Sequence, residues 1–274
     1  MIEIPECITL TKQIRESFLG KRVESVLAAK TRHGFGWYNP EPEEYPLLLV
    51  GKKLTAVHAL GGQTELVFED MHLVFNDGTT PRYLTPEEAE PKKHQLLIGF
   101  DEGSRLVCTV RMYGGMMIYP QGLTDNKYYL QSRDSIMPTT DAFDRAYFQQ
   151  LFESCDPKLS AKAFLATEQR IPGLGNGVLQ DILYNARIHP QKKLKDLDEQ
   201  DIEALFESVK NTLAQMVEQG GRDVEKGLYG NPGGYTTILS NKTKDEPCKR
   251  CGNLIVKKAY MGGNVYFCPQ CQSL

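Results

Sequence analysis

The sequence predicts an α+β protein that consists of an N-terminal β-sandwich with a leading helix, a helical domain and a terminal metal-bound β-hairpin. Three observations support this fold class. Residues 21–120 contain short β-type runs separated by Gly, Asp and Pro, the apolar period becomes helical from Thr140 onward, and two cysteine pairs close the chain. We therefore predict domains at 1–135, 136–239 and 240–274, since 274 residues allow more than one buried core.

Two segments carry clear helical periodicity. A first helix is predicted ahead of a glycine cap at Gly20, because apolar residues recur every four positions at Leu10, Ile14 and Phe18. A long helix is predicted between Asp198 and Gly220-Gly221, with one apolar face formed by Ile202, Leu205, Phe206, Val209, Leu213, Met216 and Val217. The runs between Lys21 and Pro120 favour an antiparallel sandwich or barrel.

Charge is distributed unevenly along the chain. The formal net charge is −3, and residues 240–274 carry six Lys/Arg against two acids, so residues 1–239 carry −7. A bulk acidic balance is unusual for a nucleic-acid binder, although local basic stripes matter more than the sum. Because the sequence has no long apolar window and no signal-peptide pattern at its start, we expect a cytoplasmic monomer without membrane contact, nucleoid-associated if it binds DNA.

The four terminal cysteines have the spacing of a zinc site. Cys248 and Cys251 form one Cys-x2-Cys pair, and Cys268 and Cys271 form another after sixteen residues. This pattern brings four thiolates onto one Zn²⁺ with a hairpin between the pairs. Four sulfurs fill the coordination sphere, so we expect one structural ion that activates no water. The module's basic side chains can form a ligand surface or simply a solvated face.

A glycine-rich stretch precedes a predicted helix at residues 170–190. Gly173, Gly175 and Asn176 lie just before the helical run, where free backbone N–H groups favour a phosphate oxygen. The pattern is not a dinucleotide-binding fingerprint, because no strand precedes it and Val178 occupies the third glycine position.

Together with the cysteine module, this stretch resembles the helix-two-turn-helix of the formamidopyrimidine-DNA glycosylase and endonuclease VIII family. The matching segments are 173–190, 219–221, 233–235 and the region from Glu246 to the last cysteine, with Glu3, Pro5 and Glu6 matching the family's opening motif. The resemblance implies a bilobed protein with DNA in the cleft. It also implies excision of oxidised bases by nucleotide flipping, followed by strand nicking.

The resemblance also implies roles for individual residues. Glu3 matches the acid that protonates the opening sugar, and Asn176 matches a donor to the phosphate beside the lesion. Arg111 and Tyr113 can serve as plug and wedge, while the zinc hairpin meets the minor groove. We therefore expect damaged or abasic double-stranded DNA to contact Gly175, Asn176, Arg111, Tyr113, Lys257 and Lys258.

The sequence departs from the family at several chemical positions. The family nucleophile is the amine of a proline that follows the initiator methionine, whereas position 2 here is Ile2. Because a bulky second residue blocks methionine removal, we expect Met1 to carry the terminal amine, about 3.8 Å out of place along the chain. In the alignment that keeps Leu54 and Val57 in strand phase, Gly62 holds the position of a phosphate-binding lysine, whereas a shifted alignment puts Lys52 there. Gly263 holds the position of a phosphate-binding arginine, and residues 75–78 that of a methionine-bearing loop.

Two functions remain open at this point. The first is a DNA glycosylase and abasic-site lyase that uses Glu3 with an unconventional amine, either that of Met1 or a lysine such as Lys52 or Lys53. The second is a catalytically inactive relative that binds damaged or distorted nucleic acid.

A basic and aromatic cluster occupies residues 30–37. Phe35 and Trp37 lie beside Arg32 and His33, in a composition that can stack on bases. Ordinary packing of the two aromatic rings is the interpretation that we favour, because aromatic side chains are most often buried.

Overall fold

The computed structural model describes residues 2–76 and 78–274. The terminal amine expected on Met1 and the expectation for Asp77 in the 75–78 loop therefore lie outside the described residues. The helices and strands follow in the order α1 (Ile4–Phe18), β1 (Val23–Ala28), β2 (Gly36–Asn39), α2 (Tyr45–Leu49), β3 (Leu54–Leu60), β4 (Gln63–Phe68), β5 (Met71–Phe75), β6 (Thr79–Leu84), β7 (Leu96–Phe100), β8 (Arg105–Val110), β9 (Gly114–Pro120), α3 (Lys127–Asp134), α4 (Arg145–Glu153), α5 (Ala161–Ala166), α6 (Val178–Asn185), α7 (Glu199–Glu218), β10 (Val256–Tyr260) and β11 (Gly263–Phe267). Within this part of the chain, no helix has both the length and the apolar character needed to cross a bilayer.

Two sheets form the N-terminal half. One has the strand order β1-β7-β8-β6 and is antiparallel, while the other has the order β2-β9-β5-β4-β3 and contains one parallel pair, β2 with β9. A single core takes side chains from both sheets, including Leu66, Phe75, Ile98, Leu106 and Ile118. The predicted β-sandwich is therefore present.

Helix α1 leads the chain and joins the two halves. Its predicted stripe of Leu10, Ile14 and Phe18 is buried in the sandwich core, where the Phe18 ring stacks on Phe100 with centroids 4.5 Å apart. Ile4, from the first turn of the same helix, is buried in the helical core instead. Because one helix supplies both cores, its N-terminus lies at the seam between the two halves.

Helix α7 matches the predicted long helix closely. Asp198 accepts a hydrogen bond from the Asp201 N–H as an N-cap, and the helix ends ahead of Gly220 and Gly221, whose φ values are +72° and +95°. Its apolar face packs with α6 and α4 in one core, which includes Ile182, Leu205, Phe206, Val209 and Leu213.

The terminal module is a two-stranded antiparallel hairpin, as its cysteine spacing predicts. Strands β10 and β11 pair from Val256 opposite Phe267 to Tyr260 opposite Gly263. The hairpin docks on α6, because Gln180 of that helix accepts a hydrogen bond from the Tyr266 N–H at 3.0 Å. The start of α6 is consequently close to both the N-terminus of α1 and the hairpin.

Candidate functional site

Glu3 lies at the N-terminus of α6. Its Oε1 atom accepts a hydrogen bond from the Gly177 N–H at 2.9 Å, and its Oε2 atom accepts one from the Val178 N–H at 2.7 Å. These two N–H groups have no acceptor within the helix, so together with the helix dipole they favour a negative charge at this helix end. The expectation that the helix-entry N–H groups are free for a phosphate is therefore wrong at these two residues, because a carboxylate of the same chain occupies them.

A buried arginine joins Glu3 to Glu6. Arg222 follows the α7 cap, and its Nε and Nη2 atoms donate to the two carboxylate oxygens of Glu6 at 2.9 and 2.7 Å. Its Nη1 atom lies 3.4 Å from Oε2 of Glu3. All three residues are at most 5% exposed. An ion cluster this deeply buried is very costly to break on one side, because the remaining charges then lack a partner.

The charge balance of this cluster affects its protonation. Burial raises the pKa of Glu3 above its ordinary value, Arg222 lowers it by less, and the nearby Glu6 carboxylate raises it again. Burial lowers the pKa of Arg222, but Glu3 and Glu6 together raise it well above the ordinary range. The guanidinium therefore stays charged beside the two carboxyl groups.

Ile2 separates two cavities on the seam between the halves. The larger has a volume of about 220 Å³ and is lined by Ile2, Glu6, Leu10, Gly78, Thr79, Thr80, Pro81, Arg111, Met112, Glu225 and Lys226. The smaller, of about 140 Å³, includes Ile2, Glu3, Gly173 and Gly175 in its lining. The side chains of both halves therefore converge beside residue 2, with one carboxylate of the buried cluster on each side.

The turn that holds Gly62 packs tightly against the helix-entry loop. A Cβ atom at Gly62 would lie 3.0 Å from the Cα atom of Gly173, and a Cβ atom at Gly173 would lie 2.1 Å from the Gly62 nitrogen. The Ile4 N–H also donates to the Gly173 carbonyl at 3.0 Å. A side chain at position 62 would therefore press on the helix-entry loop.

Asn176 connects the helix-entry loop to the zinc hairpin. Its Nδ2 atom donates to the Asn264 carbonyl at 3.0 Å, and that carbonyl also accepts a hydrogen bond from Gln180 at 3.1 Å. The Asn176 Oδ1 atom is buried and has no hydrogen-bond partner among the described residues. The side-chain donor predicted to bind phosphate is thus engaged by the hairpin backbone in this structure.

A buried lysine stands near the lost arginine position. A Cβ atom at Gly263 would face the Nζ atom of Lys162 and the Nδ2 atom of Asn176, each at 3.6 Å. Lys162 is 4% exposed and donates to the Tyr260 carbonyl at 2.7 Å. Burial lowers its pKa. Lys162 of the helical half therefore lies beside position 263, where glycine replaces the phosphate-binding arginine of the family.

Arg111 and Tyr113 lie in the turn between β8 and β9. Arg111 lines the larger cavity together with Ile2, and Tyr113 lies half-exposed next to Trp37, with ring centroids 6.1 Å apart. Phe35 and Trp37 are 60% and 50% exposed, so the expectation that they pack in a core is wrong. The cause is the two-residue period of β2, in which Tyr38 faces inward and Trp37 outward.

Lys257 and Lys258 occupy successive positions of β10, so their side chains leave opposite faces of the hairpin. Lys257 donates to the Asn241 side chain at 3.3 Å, whereas Lys258 donates to the Gln191 side chain at 2.7 Å. Both residues are exposed. Their geometry gives each face of the hairpin one exposed cation.

The four cysteines fit a tetrahedral metal site. Their sulfur atoms all lie within 4.8 Å of one another, and the Cys248–Cys271 pair is 3.9 Å apart. Tetrahedral thiolate ligation at a Zn–S distance of about 2.3 Å separates the sulfurs by about 3.8 Å. The Arg250 N–H points to the Cys248 sulfur at 3.4 Å, as expected for a zinc knuckle. The module holds one structural zinc ion.

Arg222, Lys162 and Lys226 lie at the site but were not predicted from the sequence. Arg222 had a usable signal, because two acids in the first helix require a cation if both are buried, and an arginine directly after Gly220-Gly221 is the nearest such residue to a predicted helix end. Lys162 and Lys226 had none, since their proximity to the site depends on how distant segments pack.

Comparison with known proteins places this architecture in one class, the zinc-containing DNA glycosylases. Three family models match successive parts of the chain: the formamidopyrimidine-DNA glycosylase N-terminal domain at 1–116, the formamidopyrimidine-DNA glycosylase H2TH domain at 135–226, and the zinc finger found in FPG and IleRS at 245–274. The chain belongs to the formamidopyrimidine-DNA glycosylase and endonuclease VIII family.

Individual relatives agree over the whole length. Formamidopyrimidine-DNA glycosylases of Cytobacillus firmus and Bacillus subtilis strain 168 are each 27% identical, with 99% and 100% of this chain and 100% and 99% of the relative covered. A complex between the Lactococcus lactis Fpg and an abasic site containing DNA has a TM-score of 0.85 at 24% identity, covering 99% of this chain and 100% of that one. A complex of wild-type Lactococcus lactis Fpg with DNA containing N7-benzyl-Fapy-dG has a TM-score of 0.86 at the same identity and coverage.

Proposed function

We propose that this protein is a DNA glycosylase with abasic-site lyase activity that acts on oxidised or abasic double-stranded DNA in base excision repair. The observation that carries the proposal is the larger cavity on the seam, which combines an acid, a guanidinium and an amine next to residue 2. The family's fold supports DNA as the partner, and the similar solved structures are complexes with abasic and Fapy-containing DNA. The alternative of a non-cutting binder has no observation of its own in its favour.

The amine of this reaction is supplied by Lys226. Among the described residues that line the larger cavity, Lys226 carries the only side-chain amine, and it shares that lining with Ile2 and Glu225. Lys52 and Lys53 fit the role less well. Lys52 pairs with Asp70 at 2.5 Å on the outer surface of the sandwich, and neither residue lines the two cavities beside Ile2.

The chemistry requires an uncharged amine and an acid. At an oxidised nucleotide the amine of Lys226 attacks C1′, the base leaves with the electrons of the glycosidic bond, and protonation of O4′ opens the sugar to give a Schiff base. At an abasic site the amine adds to C1′ of the opened sugar aldehyde, and water leaves to give the same Schiff base. Loss of a proton from C2′ then breaks the C3′–O bond, the phosphate leaves with the bonding electrons, and hydrolysis of the imine returns the amine. Glu3 retains the role of the acid, because it lines the smaller cavity beside Ile2 and burial raises its pKa.

Binding of the strand uses the family's surfaces in altered form. Asn176, with Gly175 beside it, contacts the phosphate next to the lesion after exchanging its bond to Asn264. Arg111 and Tyr113 fill the gap left by the flipped base. The exposed Lys257 and Lys258 of the hairpin contact phosphates of the duplex, so binding weakens as the salt concentration rises. Because positions 62 and 263 are glycine and provide no phosphate contact, the affinity for DNA falls only gradually as the salt concentration rises.

The domain division and the location complete the proposal. A sandwich of 1–135, a helix-two-turn-helix domain of 136–239 and a zinc module of 240–274 account for the three family matches. A DNA-repair role places the protein in the cytoplasm, at the nucleoid.

Trapping with sodium borohydride tests both the activity and the nucleophile. The reductant converts a Schiff base on an abasic duplex into a stable secondary amine, and peptide mapping then identifies the linked residue. We expect the adduct on Lys226 and its loss in Lys226→Gln, whereas Lys52→Gln serves as the matched control and traps like the wild type. An adduct on the terminal amine or on another lysine contradicts the role of Lys226 alone. Binding of abasic DNA without any adduct contradicts the lyase activity itself.

A further inference from the structure

Four large apolar side chains project into solvent next to the candidate site. Phe35, Trp37, Met112 and Tyr113 are 60%, 50%, 54% and 41% exposed. They are neighbours, because β2 pairs in parallel with β9 and the Gly114 N–H donates to the Phe35 carbonyl at 3.0 Å. We call these four residues the aromatic platform. Exposed apolar groups that cluster in this way mark an interaction surface.

The charge around the aromatic platform favours a polyanion. Residues 30–39 and 110–119 together contain Lys30, Arg32 and Arg111 but no acid, in a chain whose net charge is −3. Lys30 lies 3.5 Å from Glu90, so its charge is partly compensated. Aromatic rings interleaved with cations are the composition of surfaces that bind single-stranded nucleic acid, where bases stack on the rings and the cations follow the backbone.

The location restricts which bases can reach these rings. Met112 belongs to the aromatic platform and also lines the larger cavity with Ile2 and Arg111, so the platform continues directly from the cavity rim. In an intact duplex each base is covered on both faces by its stacked neighbours. A ring that stacks on a base therefore needs a nucleotide that is unpaired or unstacked, such as those flanking a lesion in an opened duplex.

We propose that the aromatic platform binds unpaired DNA bases beside the cavity, so that the protein prefers lesions in single-stranded or locally opened DNA. This proposal rests on DNA as the partner, as argued above. Trp37 and Phe35 stack on the bases, while Arg32 contacts an adjoining phosphate.

Trp37 makes the proposal directly measurable, because it is the only tryptophan in the chain. The probes are a twenty-nucleotide oligothymidylate strand, a fully paired duplex and a duplex with an unpaired segment next to an abasic site. We expect the single strand and the opened duplex to quench Trp37 emission to saturation, and the paired duplex to leave it nearly unchanged.

Affinity measurements with variants decide the matter independently of the fluorescence. Phe35→Ala and Trp37→Ala should each weaken binding of the single strand by roughly five- to a hundredfold, with binding of the paired duplex changed less than twofold. Leu123→Ala removes an even more exposed apolar side chain beyond the far end of β9 and serves as the control. Single-strand binding with unchanged Trp37 emission and unaltered affinity in both variants overturns the platform, even if abasic duplex is still bound. Failure to bind any of the three probes overturns DNA as the partner as well.

Discussion

Two groups of buried carboxylates hold the helical half to its neighbours, and they do so in different ways. At the arginine joint, Glu3 and Glu6 of α1 meet Arg222 and the start of α6. At the aspartate joint, Asp181 of α6 accepts hydrogen bonds from the N–H groups of Ile238 and Leu239 at 2.9 and 2.8 Å, on the segment that leads to the zinc module. Glu3 and Asp181 each accept two backbone N–H groups, but only the arginine joint has a guanidinium in direct contact with its carboxylates.

The difference between the joints shows how burial is compensated. Burial raises the pKa of Asp181 to about 6, and the N–H groups of Ile238 and Leu239, the Tyr235 hydroxyl and the charge of Arg222 offset this only in part. The arginine joint buries two acids against one guanidinium, so it remains an ion cluster when Glu3 holds a proton. The aspartate joint should therefore respond to pH, and the arginine joint to loss of its cation.

Removal of zinc should have the largest effect, because it destroys the element on the far side of the aspartate joint. A four-cysteine module of this size depends on its metal for folding. We expect one zinc per chain in the purified protein. After chelation, proteolysis should cut within residues 240–274 while residues 1–239 stay protected.

Cys268→Ser should behave like the chelated protein, and Cys155→Ser, outside the cluster, like the wild type. A zinc content near zero in freshly purified protein, or a protease-resistant hairpin after chelation, contradicts the assignment.

Arg222→Met should have the next largest effect, since it removes the cation of the arginine joint and leaves two acids buried. We expect the free energy of unfolding to fall by about 3–5 kcal/mol, as measured by urea denaturation. Arg133→Met is the control, because that arginine pairs with Asp134 on the surface and should cost less than about 1 kcal/mol.

Combining Glu6→Gln with Arg222→Met sharpens this prediction. The double variant should lose less than the sum of the single changes, because fewer unpaired charges stay buried. Additive losses would show that the three side chains are not energetically coupled.

Asp181→Asn should have the smallest effect and one that depends on pH. The folded-state pKa of about 6 lies above the ordinary value of 3.8, so the folded protein binds the proton more tightly. The stability that the protonated Asp181 contributes is therefore fully present below pH 3.8 and is lost as the pH rises through about 6. Between those limits it amounts to at most about 3 kcal/mol.

Urea denaturation of the wild type and Asp181→Asn at several pH values between 4 and 7 measures how the free energy of unfolding depends on the titration of Asp181. The difference in stability between the two proteins should change with pH and become constant above about pH 6.5. A difference that does not vary with pH would show that Asp181 titrates as an ordinary carboxyl group.

Local patterns in the sequence determined much of this protein. The apolar spacing of Leu10, Ile14 and Phe18 predicted α1, and the Asp198 cap with Gly220-Gly221 predicted α7, because helix periodicity and caps are encoded within a few neighbouring residues. The four cysteines predicted the zinc site for the same reason, since each ligand pair lies within one knuckle. The matches around Glu3 and Gly173 to Pro190 were sufficient to indicate the family.

Only the tertiary structure decided how distant residues combine. Arg222 lies more than two hundred residues from Glu3 and Glu6, and the three meet because α1 packs against the end of α7. Lys226 reaches the cavity beside Ile2, and Trp37 faces solvent, through the same packing of segments that no local pattern relates. Periodicity fixes which face of an element is apolar, whereas the neighbours of a charged side chain follow from how the elements are assembled.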